Sequence, residues 1–188
     1  MTCFSESNYE FTFDDRWQIL KYDDHPYYRI LSGRSFSGID FAGIFENEHL
    51  YLIEVKNFYQ YDNDGEISNV DKFVIEIKEK ILDSIDLIRI INKYHQRKWT
   101  YRLLVKLVMR LPNLNRDWWF WTKMHQLLQS KHMSFVLLIE SKLNNNFLKA
   151  DILSSLAGED YEIPNLIMLS IDKQDLDGIS ISKIYKSE

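Results

Sequence analysis

Three charged residues fall within the two apolar runs that the polar ENEH joins in GIDFAGIFENEHLYLIEVKNF, from Gly38 to Phe58. Asp40 opens the first apolar run, and Glu54 and Lys56 stand two apart in the second. Residues two apart in a strand face the same side, so Glu54 and Lys56 project together while Ile53 and Val55 point the other way. Asp40 joins them under one condition. If the runs pair as a hairpin whose residue numbers sum to an even value, such as 94 or 96, Asp40 lies across from Glu54 or Lys56. An odd sum turns it away, unless a bulge at Gly43 corrects the register.

In the even register, the two carboxylates stand about 5 Å apart at their Cβ atoms. Hard oxygen ligands at that separation suit Mg2+ or Mn2+. Such a cation polarises a phosphoryl oxygen and lowers the pKa of a bound water. Lys56 beside it would orient that water or balance charge in the transition state. In outline this is a site for phosphodiester hydrolysis. The plain alternative is a hairpin whose Glu54 and Lys56 form a solvent-facing ion pair.

The surrounding elements must position these groups. Asp14 and Asp15 can cap a short helix carrying Trp17, Ile19, Leu20 and Lys21, which DDHP (Asp23–Pro26) stops. YYRIL (Tyr27–Leu31) reads as a strand, SGRSFSG (Ser32–Gly38) as a loop, and Ile39–Phe45 and Leu50 to about Gln60 as two more strands of an antiparallel meander. A turn-rich segment (Tyr61–Glu66) and a capping-box spacing at Ser68 and Asp71 lead into a long helix, Val70–His95, with Phe73, Val74, Ile77, Ile81, Ile85, Ile88 and Ile91 on one face. Alternation from Tyr101 to Leu111 predicts a strand with Leu103, Val105, Leu107, Met109 and Leu111 on one side and Arg102, Lys106 and Arg110 on the other. A helix (Asp117–Ser130), a buried strand (Ser134–Glu140), a loop (Asn144–Asn146), a helix ending near Gly158 and strands at Leu166–Ile171 and Ile179–Tyr185 follow. The class is α/β, in one domain of residues 1–188.

Ile39-Asp40, followed after a short hairpin by Ile53-Glu54-Val55-Lys56, resembles the motif of the PD-(D/E)xK, restriction-endonuclease-like nucleases. The expected order of helix, three-stranded meander, helix and strand over about residues 14–111 is similar to that family's core, with 112–188 as α/β elaboration. Ile39 stands where many members have proline. The resemblance implies that Asp40 and Glu54 hold the metal with the Val55 carbonyl, that Lys56 is the catalytic lysine, and that Glu10, Asp14 or Asp15 is a candidate for an additional acid. It implies a Mg2+- or Mn2+-dependent endonuclease, with DNA preferred to RNA. The rival is a non-catalytic nucleic-acid-binding or assembly module on the same fold.

The 188-residue chain carries a net charge of -5, unevenly spread. From Leu87 to Ile139 there are ten bases and one acid, Asp117, whereas the rest holds 13 bases and 27 acids. Such a block suits a polyanion, or packs against the acidic remainder. Arg97, Lys98, Arg102, Lys106 and Arg110 are the candidate nucleic-acid contacts, with Trp99 and Trp119 as possible stacking partners. Trp118 and Trp121 read as core. His25, His49, His95, His125 and His132 form no ligand pair and read as surface residues. Asp62, Asp64, Gly65 and Glu66 fall short of a calcium loop. A lone Cys3, no basic-apolar leader and no span-length apolar run lead to the expectation of a cytoplasmic protein without a membrane partner. A homodimer or a partner subunit is expected to be possible.

Overall fold

The computed structural model describes residues 1–32, 36–59, 66–142, 145–157, 165–171 and 176–184. Two aromatic-rich segments, β1 (Thr2–Glu6) and β2 (Tyr9–Phe13), form an antiparallel hairpin closed by Ser7 and Asn8. Both turn residues have positive φ, 50° and 67°, which matches the strand twist in a two-residue loop. Ser-Asn lacks the glycine that announces such turns, so the sequence carries little cue for this hairpin.

The helix expected after Asp14 is instead a strand, β3 (Trp17–Lys21). Trp17 and Ile19 are buried on one face, and Asp14 accepts hydrogen bonds from Arg16 rather than capping a helix. The strand expected at Tyr27–Leu31 is instead a helix, α1 (Pro26–Ser32). Pro26 occupies its first position, where a missing N–H costs nothing, so this proline starts a helix rather than stopping one.

The hairpin of β4 (Phe41–Phe45) and β5 (His49–Asn57) has the register Phe41↔Ile53 through Phe45↔His49, summing to 94. It pairs without a bulge. A Cβ on Gly43 would lie 2.8–2.9 Å from side-chain atoms of Ile19 and Trp17, so this glycine admits β3's side chains instead. Gln60, the expected end of β5, and most of the expected turn (residues 61–65) lie outside the described residues, as do 33–35 of the expected loop.

The long helix is α2 (Val70–Arg97). Its cap is Asn69, whose side chain accepts from Lys72 N at 2.9 Å, in place of Ser68. The expected basic strand is also a helix, α3 (Trp99–Arg110), separated from α2 by an extended Lys98. Leu, Val and Met are dense enough there to satisfy both periods; the seven-residue spacing of buried Tyr101 and Val108 marks the helix. A short 3-10 turn (Pro112–Leu114) leads to α4 (Arg116–Gln129), capped by Asn115. Then come β6 (Met133–Glu140), α5 (Asn145–Leu156), β7 (Asn165–Ser170) and β8 (Ile179–Lys183). Asn145 and Asn146, expected in a loop, begin α5; Asn144, Gly158 and Tyr185 lie outside the described residues.

The protein is mixed α/β. One sheet has the order β3-β4-β5-β6-β7, antiparallel through β5 and parallel beyond; the other is β1-β2-β8. The larger sheet has two buried faces. On one, Phe41, Ile53, Val55, Val136 and Leu138 pack with Phe11 and Phe13 of the smaller sheet. On the other, Ala42, Ile44, Leu50, Leu52, Phe135 and Leu137 meet α2, α4 and α5. Sheet, sheet and helices make three layers. Among the described residues, no helix is long and apolar enough to cross a membrane.

Candidate metal centre

Alternation along β5 puts Glu54 on the face of Leu50 and Leu52, toward α2, at the end of the strand where apolar cover gives way to charge. Continuing the hairpin register by one pair places Asp40 opposite Glu54. Asp40 is held by its own backbone and by its neighbours. Its carbonyl accepts from Tyr22 N at 2.8 Å, Ile39 N donates to Ser84 Oγ at 3.3 Å, and Ser37 N donates to Asp83 at 2.6 Å. The segment before β4 is thereby fastened to α2. Asp40 Oδ2 then accepts from Val55 N at 2.7 Å. An antiparallel partner residue turns its N–H and C=O to the same edge, so the Val55 carbonyl faces that side as well.

Glu54 is 1% exposed. Its Oε1 takes Lys80 Nζ at 2.6 Å and Lys56 Nζ at 3.3 Å, and Lys56 also donates to Glu76 at 2.6 Å. Glu54 Oε2 is buried without a hydrogen-bond partner. Burial pushes Glu54 above the usual carboxylate range, against the pull of Lys80 and Lys56. Burial opposes charge on Lys56 too, but Glu54 and Glu76 outweigh it and hold the ammonium above the usual lysine range. Asp40 is pushed up to about 8, first by burial and then by the neighbouring Glu54, with Lys80 and the Val55 amide acting in the opposite sense. Half-buried Asp40 and buried Glu54 thus stand side by side, with Lys80 and Lys56 on one Glu54 oxygen and the other oxygen left without a partner.

Asp40, Glu54, Val55 and Lys56 thus come together as their spacing requires. The candidate additional acids do not. Glu10 is exposed on β2, Asp14 pairs with Arg16, and Asp15 pairs with the N-terminal amine. Two other acids approach instead: one oxygen each of Glu6, Asp23 and Asp40 lies within 4.8 Å of the others. Lys21 pairs with Glu6 at 3.1 Å, and burial raises the Asp23 carboxyl. Sequence reasoning missed Glu6, Asp23, Glu76 and Lys80. Glu76 and Lys80 carried a signal, being one helical turn apart beside the apolar stripe of the helix that follows the strand.

The basic candidates lie elsewhere. Arg97 ends α2, Lys98 links it to α3, and Arg102, Lys106 and Arg110 recur every four residues along one exposed α3 face. From Lys80 to Lys98 the axis of α2 runs ~27 Å at 1.5 Å per residue. These side chains therefore do not line the acidic site. Within the basic block Arg89 pairs with Asp86 at 3.4 Å, but the five candidate contacts are not neutralised in this way. Among the described residues no ion pair involves Arg97, Lys98, Arg102, Lys106 or Arg110, and Lys98 instead covers the Tyr94 ring at 4.5 Å.

Two of the five histidines depart from the surface reading, whereas His132 is exposed as expected and His49 and His125 are half-buried. His95 is fully buried, with Nε2 at 3.0 Å from the Tyr27 hydroxyl, and His25 is buried against Trp121. Trp121 and Trp119 are core, Trp118 is partly buried, and Trp99 is exposed. No protein-family model, curated protein or solved structure matches this chain.

Proposed function

We propose that the chain is a metal-dependent phosphodiesterase of the PD-(D/E)xK, restriction-endonuclease-like kind, cutting nucleic acid, with DNA preferred to RNA. The observation that supports this reading is the convergence of Asp40, Glu54 and Lys56 at one end of β5, in the register of 94. The order β3, β4, β5, α2, β6 is consistent with this reading, with two departures: α1 lies between β3 and β4 rather than ahead of β3, and α3 and α4 stand between α2 and β6, so the fourth strand falls beyond residues 14–111.

The donor set fits a hard divalent cation, Mg2+ or Mn2+. It offers carboxylate and carbonyl oxygen alone, and the buried Glu54 Oε2 has no other partner. Asp40, Glu54 and the Val55 carbonyl would hold the ion, which would polarise a phosphoryl oxygen and acidify a bound water. Lys56, steered by Glu76, presents a cation beside the reacting centre and stabilises negative charge that grows on phosphate oxygen. Lys80 supports the arrangement from α2 by fixing the Glu54 carboxylate. A second reading, a non-catalytic nucleic-acid-binding or assembly module, draws on the same ion pair: Glu54 Oε1 is already neutralised by two lysines without any metal.

The test is cleavage of linear, branched and single-stranded DNA and of RNA, with Mg2+, Mn2+ or EDTA. The expected result is metal-dependent cutting that falls at least about 100-fold in Asp40→Asn, Glu54→Gln and Lys56→Ala. Retention of nucleic acid without cutting, indifferent to those substitutions, would move the assignment to the binding module.

A further inference from the structure

The helix α3 is the outer layer of the helical side, and its outward face has an unusual make-up. Only Tyr101 and Val108 are buried. Trp99 is 67% exposed, Leu103 69%, Leu107 44% and Leu111 55%, with Leu104 and Leu114 also exposed. Arg102, Lys106 and Arg110 run beside this apolar stripe, exposed and without an ion pair among the described residues. From Leu87 to Arg116 the chain has eight cations and no acid: Arg89, Lys93, Arg97, Lys98, Arg102, Lys106, Arg110 and Arg116. Water gains nothing from four large apolar side chains on one helix and two more, Leu111 and Leu114, in the turn that follows it, and an exposed apolar patch of this kind marks a docking surface.

Charge and shape narrow the occupant. Pairing α3 antiparallel with its copy across a two-fold axis would set one cationic flank against the other, and a parallel pair would leave both flanks without an anionic partner, which disfavours a second chain. Nucleic acid satisfies the cations and leaves the leucines in water. The exposed arc from Arg102 through Leu103 to Leu104 covers about 200° of the helix at 3.6 residues per turn, wider than the ~100° stripe one packed helix covers. A tryptophan at one end, leucines along the face and Arg or Lys beside them, without acids, is the composition of a helix lying in a membrane interface. We propose that the outward face of α3 docks the protein on an anionic lipid surface, with Trp99, Leu103, Leu107 and Leu111 in the headgroup boundary and Arg102, Lys106 and Arg110 on lipid phosphates and carboxylates. This inference is independent of the nuclease reading. Peripheral docking needs no membrane-spanning helix, and the whole-chain charge of -5 is compatible with it because charge is screened within about 8 Å at physiological salt.

The experiment is flotation of the full chain with phosphatidylcholine vesicles and with vesicles containing about 30% phosphatidylserine. Binding is expected to the anionic vesicles alone and to weaken as salt rises. It should fall at least about tenfold in Leu103→Glu/Leu107→Glu and in Arg102→Gln/Lys106→Gln. These positions are exposed, so the variants should retain the wild-type circular dichroism spectrum. Trp99→Phe should remove the blue shift of tryptophan emission that accompanies binding. Absence of flotation, or flotation that ignores both double substitutions, overturns the proposal. So does either of two other outcomes: loss of binding to a DNA duplex in Arg102→Gln/Lys106→Gln in place of lipid binding, or a dimer that Leu103→Glu/Leu107→Glu converts to monomer.

Discussion

Lys80 holds Glu54 in place from α2, and the two are nearly excluded from water. Removing one member of a buried pair leaves the other charge without compensation, which costs about 3–5 kcal/mol. Lys80→Met is therefore expected to lower unfolding stability by about 3 kcal/mol in urea titration, with Lys56 softening the loss. Lys80→Met/Glu54→Gln should cost less than the two single changes summed. His95 tests a different kind of burial. Enclosure, and then Lys98, lower its pKa from 6.5 to about 4. Between those values the unfolded chain holds the extra proton, so stability rises with pH across the window and is lost as pH falls through it. Up to about 3 kcal/mol is at stake, and His95→Leu should flatten the slope of stability against pH between 4 and 6.5.

At the scale of elements, the β4–β5 hairpin was legible because its charges obey a two-residue period and its register admitted only two classes. The long helix α2 was legible because one apolar stripe persists along it. Three segments were misread for physical reasons. β3 begins after two aspartates that cap no helix; α1 begins at a proline that usually signals an end; α3 is so rich in Leu, Val and Met that strand and helix periods both fit. Of the candidate site, the local part could be read from spacing. Lys80 and Glu76 required knowing which face of α2 crosses the strand, and Glu6 and Asp23 required knowing how distant segments fold onto Asp40. Gly43 provides the test at this scale. Gly43→Ala forces a methyl group toward Ile19 and Trp17, so β3 must shift or tilt. The expected loss is about 1–3 kcal/mol in denaturant unfolding, without a change in the Asp40–Glu54 register.

The whole molecule depends on the smaller sheet to cover half of the larger one. Phe11 is fully buried between them, packed on Phe41 at a ring-centroid distance of 5.4 Å. Phe11→Ala should cost about 3–5 kcal/mol by urea unfolding, as much as a change in the helix-side core, although β2 lies outside the five-stranded sheet. Charge segregation in the sequence survives in part in space, although Arg89 pairs with Asp86. The run from Leu87 to Arg116 forms the end of α2, all of α3 and the turn that follows; among the described residues Arg102, Lys106 and Arg110 make no ion pair, while Asp14 and Asp177 near the chain ends both pair with Arg16.

The antiparallel hairpin and α2 have a consequence in time. The contacts between Asp40 and Val55, Lys56 and Glu76, and Glu54 and Lys80 join residues only 15, 20 and 26 positions apart. β5 must wait for β6, whose first partner is Met133, and β2 must wait for β8, where Phe13 meets Ile179. Closing short loops is faster than closing long ones. On a ribosome, the Asp40, Glu54 and Lys56 cluster can take shape while much of the chain is still unmade, and the smaller sheet gains its last strand, β8, at the end.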